Sequence, residues 1–266
     1  VDLTEPLAEG RIAEVYPWGE GRVLKLARGW VPADWVEYEF KIAKIVHASG
    51  LGVPEPYELI THEGRPGIVY SRVDGPTMLA RIARAPHKAN AFARRLAALH
   101  AAMHSKPGAA ELPDNHAKLR RTIESVEGAP PDAQAHALRV LDSLPQGGQL
   151  LHGDYHPDNV ILTPTDAVII DWTTAARGHP LGDVARTRVL LNVGSPPNQP
   201  LLALLISILR KSFERNYLRA YFARSPYRRA DLEAWLYPVL FARLGEGIEA
   251  ERAATIRWLE RLKGRG

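Results

Sequence analysis

A chain of 266 residues with 45% hydrophobic and 24% charged side chains has room for one large domain or two joined lobes and the composition of a folded protein, which excludes fibrous and low-complexity classes. It contains no cysteine, so disulfides, thiolate zinc sites, iron–sulfur clusters and a cysteine nucleophile are excluded together. Its net charge of +4 points to nucleic acid only where the excess gathers around a binding motif. Residues 201–266 hold 13 Lys and Arg against 7 Asp and Glu, but these arginines recur at helical spacing among leucines and read as a solvated helix face. Val1–Gly10 already carries Asp2, Glu5 and Glu9, unlike an export signal. The longest apolar run, Leu201–Leu209, is about half of the ~18 residues that suggest a membrane span. The expectation is a cytoplasmic protein with no membrane and no nucleic-acid partner.

In chain order, Arg11–Tyr16 and Arg22–Ala27 alternate apolar and polar positions around the turn Pro17-Trp18-Gly19-Glu20-Gly21 and read as a hairpin. Over Ala33–Ala48 the residues Trp35, Tyr38, Ile42, Ile45 and Val46 recur at three and four, and Gly50 and Gly52 supply a stop; this predicts a helix. Tyr57–Thr61 and Gly67–Ser71 are two further strands, so the start reads β-β-α-β-β. Val73-Asp74-Gly75-Pro76 breaks the pattern. Helical periodicity then covers Leu79–Arg84, Lys88–His104 and Ala133–Leu144, with Leu112–Asn115 and Gly128–Asp132 as connectors. Two strand-like runs, Leu150–Tyr155 and Ala167–Ile170, precede a final helical stretch. The expected division is a small sheet lobe at 1–73 and a larger helical lobe at 74–266.

Residues 149–172 read QLLHGDYHPDNVILTPTDAVIIDW and concentrate ligand-type side chains, among them His152, Asp154, His156, Asp158, Asn159 and Asp171. A polar turn leaves that density without a reason. A hydrolase metal site would use His152, Asp154 and His156 alternating along a strand, but no matched His set follows and Pro157 ends the alternation. Phosphoryl transfer accounts for more: His-x-Asp-x-x-x-x-Asn, met by His152, Asp154 and Asn159, followed by a strand ending in Asp171, matches the catalytic-loop and metal-loop logic of kinases.

The stretch HGDYHPDN followed by IIDW resembles the signature of the aminoglycoside phosphotransferase and choline kinase-like family, small-molecule kinases with the protein-kinase fold. The resemblance implies an α+β, bilobal protein-kinase-like architecture: a small N-terminal antiparallel sheet lobe with one helix that binds nucleotide, and a larger, mostly helical lobe for catalysis and acceptor binding. It implies Mg²⁺ and ATP or GTP as cofactors and a hydroxyl on a small molecule as acceptor. Asp154 takes the catalytic carboxylate position, near the attacking hydroxyl. Asn159 and Asp171 take the metal positions, where hard Mg²⁺ accepts oxygen donors.

Upstream, the phosphates call for a cation oriented by a helix carboxylate. Lys25 interrupts a strand that is otherwise apolar in its middle, where a charge requires a partner. Of Glu37 and Glu39 on the next helix, the family pattern favours Glu39. Gly10 is the one glycine where protein kinases have three in the phosphate-covering loop, so close backbone approach falls to it alone. The resemblance makes Ser71–Val73 the hinge, with Ser71 and Val73 meeting the adenine edge through the backbone. Asp183 matches a downstream Asp that supports the active-site loops by hydrogen bonds, and His152 reads as a packed, loop-ordering residue. His100 and His104 have the i,i+4 spacing of metal ligands, but their Ala- and Leu-rich helix favours packing.

The acceptor stays open. Glu246, Glu249 and Glu251 offer an acidic cleft for an aminoglycoside, hence antibiotic modification; Trp235, Tyr237 and Trp258 offer walls for a choline-type cation; a sugar-type metabolite is a third option. A non-catalytic pseudokinase is the competing class, against which stand Lys25, Asp154, Asn159 and Asp171, all present.

Overall fold

Alternating apolar residues and glycine-rich turns build strands in the first seventy positions, and apolar stripes at three and four build helices afterwards. The structure, a computed structural model, describes residues 3, 5–193 and 199–263. Residues 1, 2, 4 and 264–266, at the ends of the two expected lobes, lie outside the described residues, as do 194–198. The elements are β1 (Ala8–Glu9), β2 (Ala13–Pro17), β3 (Arg22–Ala27), α1 (Ala33–Ala48), β4 (Pro56–His62), β5 (Arg65–Ser71), α2 (Met78–Arg84), α3 (Ala89–His104), α4 (Asn115–Glu124), α5 (Pro131–Ser143), β6 (Gln149–Leu151), β7 (Val160–Leu162), β8 (Ala167–Ile169), β9 (Ala176–Gly178), α6 (Pro180–Val193), α7 (Pro200–Phe222), α8 (Leu232–Leu244) and α9 (Glu249–Lys263). The fold is α+β, as expected. Among the described residues no helix is long and apolar enough to cross a membrane.

The chain divides into two compact units, Val1–Leu79 with Asp158–Thr174, and Ala80–Pro157 with Ala175–Gly266. The segment 158–174 thus joins the N-terminal unit rather than the helical lobe to which the sequence reading assigned it. The reason is local: Leu162 donates its N–H to Pro76 at 2.9 Å and Thr77 bridges Ile161, so β7 is zipped to the chain that leaves β5.

In the first unit, five antiparallel strands run in the order β1-β2-β3-β5-β4. Leu24 and Leu26 point to one face with Tyr16 and Val69; Ala27 and Ile68 point to the other, against Val31 and Val36 at the start of α1. Period-two alternation in β3 therefore aims Lys25, between Val23 and Ala27, at the α1 face. Gly75 (φ +153) passes so close to β7 that an added Cβ would stand 2.2 Å from the Leu162 carbonyl oxygen.

In the second unit, α3 packs on α7, and α8 on α5 and α6. The stripe Ala93, Leu96, Ala97, His100, Met103 and His104 of α3 is buried. Trp235 and Tyr237 are core residues, which removes them as walls for a choline-type cation. The connector read at Leu112–Asn115 runs into α4, where the Ala117 N–H donates to the Asp114 carboxylate at 2.9 Å, an N-cap that the sequence reading passed over. The strand expected over Leu150–Tyr155 stops at Leu151, because Gly153 takes a left-handed conformation at φ +79 that ends extended pairing.

Candidate active site

In the first unit the Lys25 Nζ donates to Glu39 Oε1 at 2.7 Å and lies 3.5 Å from Asp171 Oδ1. Glu39 is 8% exposed and also accepts from the Tyr70 hydroxyl at 3.2 Å; Glu37 stays exposed. Burial alone would lower the Lys25 pKa, but Glu39 and then Asp171 overcome it and hold the ammonium above its ordinary value, so it remains charged throughout the neutral range. Burial first, then Glu39, pushes Tyr70 well above the usual phenol range, so it is a constant donor.

The β7–β8 hairpin explains how Asn159 and Asp171, distant by 12 positions, come together. Val160 pairs with Ile169, and one step further Ile170 donates its N–H to the Asn159 carbonyl at 3.0 Å. Both residues therefore leave the hairpin at the same end. Asp171 has φ +61, a left-handed conformation that costs a non-glycine residue of order 1–3 kcal/mol and tends to persist where function requires it. Trp172 is buried and donates Nε1–H to Ile169 at 3.0 Å, which anchors the chain directly after that turn. A side-chain amide oxygen and a carboxylate at one hairpin end suit a hard divalent cation such as Mg²⁺.

A cavity of about 510 Å³ opens beside this cluster, lined by Lys25, Glu39, Val31, Val36 and Ile68, with Trp35 and Tyr38 at its wall. At the expected hinge, Ser71 donates its N–H to Glu55 at 2.9 Å and Arg72 to Gly21 at 2.9 Å, and the Ser71 hydroxyl accepts from the Glu55 N–H at 2.8 Å. The Ser71 N–H and hydroxyl are therefore already engaged with Glu55. The Val73 N–H has no hydrogen-bond partner among the described residues. Gly10 donates to Ala13 at 2.8 Å, closing the short β1–β2 turn.

In the second unit, Asp154 lies 3.5 Å from the His156 Nε2 and 3.8 Å from Arg186 Nη2. Burial raises its pKa, but the His156 contact and then Arg186 outweigh that and hold it below the ordinary carboxylate range. The loop before it is pinned from behind. The His152 and Gly153 N–H groups donate to the Asp183 carboxylate at 2.7 and 2.9 Å, and the Asp154 N–H approaches His152 Nδ1 at 3.2 Å. His152 and Asp183 are both buried, and His100 and His104 pack against the same carboxylate.

Sequence reasoning missed four residues here: Arg186, Tyr70, Tyr217 and Tyr221. Of these, Tyr217 and Tyr221, whose hydroxyls meet His100 and His104, carried a signal, since their i,i+4 spacing on α7 mirrors that of His100 and His104 on α3.

Residues 4–232 match the model of the phosphotransferase enzyme family. Among solved structures, a thermostable mutant of aminoglycoside phosphotransferase APH(4)-Ia, in a ternary complex with ADP and hygromycin B, is 16% identical with a TM-score of 0.64, covering 97% of this chain and 92% of its own. A choline/ethanolamine kinase family protein from Mesorhizobium loti is 15% identical with a TM-score of 0.63, over 98% of this chain and 86% of its own. At those identities the likeness is one of fold. Acyl-CoA dehydrogenase family member 11 of Gallus gallus is 46% identical over 39 residues, which is 14% of this chain and 5% of that protein, so the chain matches a small part of that relative's length. With most of its length matched, the chain belongs to the phosphotransferase enzyme family.

Proposed function

We propose that this protein transfers the γ-phosphoryl group of ATP or GTP to a hydroxyl of a small molecule. The observation that carries the reading is the Lys25 ammonium held between Glu39 and Asp171, with Asn159 at the same hairpin end as Asp171. Lys25 donates to phosphate oxygens and Glu39 orients it. Asn159 and Asp171 hold Mg²⁺, which when bound neutralises phosphate charge. The Val73 N–H is the hinge donor for the purine edge. Gly10 leaves room for backbone approach to the phosphates.

The acceptor oxygen forms its bond to the γ-phosphorus as the bond to the β–γ bridging oxygen breaks, releasing the nucleoside diphosphate. The acceptor's proton passes to the Asp154 carboxylate. Because that carboxylate is held below its ordinary range, it is a weak base, and orientation of the hydroxyl is its larger contribution. Asp183 and His152 support the loop. A pseudokinase would lack one of these groups.

An uncharged or anionic acceptor fits better than a polycationic antibiotic. Glu246 is engaged by Arg186 and Arg243, and Glu251 by Arg243 at 2.7 Å, so two of the three acidic side chains that would receive ammonium groups are already neutralised, Glu249 being the exposed third. Burial, then the charge of Arg186, lowers the Lys118 pKa, so the surroundings of Asp154 already hold cations in proximity. The test measures Mg²⁺-dependent loss of γ-phosphate from ATP and GTP against a library of aminoglycosides, neutral polyols, choline-type amino alcohols and hydroxy acids, with Asp154→Ala as control. Turnover with a neutral or acidic alcohol, abolished in the control, supports the reading. Turnover confined to aminoglycosides would overturn the acceptor class, and no turnover with any acceptor would overturn the activity.

A further inference from the structure

Asp183 of α6 gathers four N–H groups. Its Oδ2 faces the His152 N–H at 2.7 Å, His100 Nε2 at 3.2 Å and His104 Nε2 at 3.3 Å; its Oδ1 accepts from Gly153 at 2.9 Å. Behind the imidazoles stand two phenols of α7. The Tyr217 hydroxyl is 2.6 Å from His100 Nδ1, and the Tyr221 hydroxyl is 2.7 Å from His104 Nδ1. The carboxylate, both imidazoles and both phenols are buried, and the two imidazole centroids are 4.1 Å apart.

For neutral rings, proton bookkeeping leaves one consistent assignment. The hydrogen bonds from His100 and His104 outweigh burial and hold the Asp183 carboxyl well below its ordinary range, so it has no proton to give and each ring must turn an Nε2–H toward it. The Nδ1 atoms are then lone-pair acceptors, and the protons they accept come from the phenols, which burial first of all keeps above their usual range. The opposite tautomer would aim two lone pairs at Oδ2 and leave buried groups unsatisfied, at about 1–3 kcal/mol for each lost partner. Asp183 and the phenol therefore hold each histidine in the same tautomer from opposite ends of its ring.

We propose that Tyr217 and Tyr221 are positioning residues for phosphoryl transfer: by fixing the Nε2–H tautomers of His100 and His104 they hold the Asp183 carboxylate, which fixes the His152–Gly153 backbone and thus the loop that presents Asp154. This rests on the role given to Asp154 above. It makes α7, whose tyrosines lie 117 positions from their histidines, part of the catalytic apparatus rather than a mere covering helix. The ligand atoms of His100, His104 and Asp183 also lie within 4.8 Å of one another, a spacing open to a metal ion. A metal would demand the reverse protonation, with Nδ1–H donating to the tyrosine oxygens, so the two assignments are separable.

The test uses the full chain labelled with ¹⁵N-histidine. Two buried rings with Nε2–H tautomers are expected in the wild type. Tyr217→Phe and Tyr221→Phe, alone and together, should shift the Nδ1 resonances by removing their donors, raise hydrogen exchange at the His152 and Gly153 amides, and lower kcat about 10-fold or more with little change in nucleotide KM. His100→Gln, which keeps an N–H donor for Asp183, should retain more kcat than His100→Leu. Nδ1–H rings in the wild type, a stoichiometric bound metal, or folded tyrosine variants with unchanged exchange at both amides would overturn the proposal. Intact exchange effects without any phosphotransfer would instead sink the functional reading and leave the network standing.

Discussion

Lys25 of β3 and Glu39 of α1 meet at 2.7 Å across 14 positions of sequence, and the same ammonium lies 3.5 Å from Asp171. Two carboxylates on one ammonium hold it charged and fixed in direction, which is what phosphate oxygens need from a preorganised donor. Lys25→Ala should lower kcat/KM by about 10²-fold, the range seen on removing one such donor. It should also lower stability, since Glu39 keeps the Tyr70 hydroxyl but loses its counter-charge. Steady-state kinetics with nucleotide varied checks the first outcome, and wild-type turnover would reject the role.

Asp154→Asn keeps the side-chain shape and removes the carboxylate. Nucleotide binding should survive, because Lys25, Asn159 and Asp171 belong to a different compact unit, while turnover falls by about 10²-fold or more. Equilibrium titration with a fluorescent nucleotide, beside single-turnover kinetics, separates the two effects. Equal loss of binding would count against the division of labour.

Acid should destabilise the fold through His100. Burial, then the neighbouring His104, holds this ring down to about 3 from an ordinary 6.5. As pH falls through 6.5 the unfolded ring takes a proton that the folded ring refuses, so stability drops across the interval down to about 3. Asp183, held below its ordinary 3.8, adds a loss of the same sign at lower pH, since its stabilisation is present above that value. Tm followed from neutral to acid pH should fall, and His100→Gln should flatten the decline. An unaltered slope in that variant would show that His100 is not held neutral.

Gly75→Ala tests the join between the chain leaving β5 and β7. With φ at +153 and the Leu162 carbonyl oxygen 2.2 Å from an ideal Cβ, the methyl group forces Pro76 and β7 apart. The expected cost is about 1–3 kcal/mol, read by urea denaturation. Because Asn159 opens into β7, the nucleotide KM should rise as well; an unchanged midpoint would mean the backbone shifts freely there.

Much of the site was legible because its chemistry is packed into short spans. Ala33–Ala48 was read with its observed bounds, since its apolar stripe and glycine stop are local signals. Lys25 stood out as a charge amid apolar strand positions, and Asp154, Asn159 and Asp171 by their spacing. The three-residue strands β7 and β9 were not legible, because pairing partners rather than intrinsic preference define so short a strand. The polarity of Glu246 and Glu251 suggested a receptive acidic cleft, yet their engagement by arginines from α6 and α8 depends on helices brought together only by packing.

What the sequence determined by itself is therefore the list of reactive groups and the periodicity of the elements that carry them, since both are written within a few turns or strands of chain. What the tertiary structure decided is which groups share a proton or a charge. The Tyr217–His100–Asp183 chain joins three helices, and burial there removes the water that would otherwise satisfy each group separately. Such long-range closure is set by how apolar faces pack, and no local pattern encodes it.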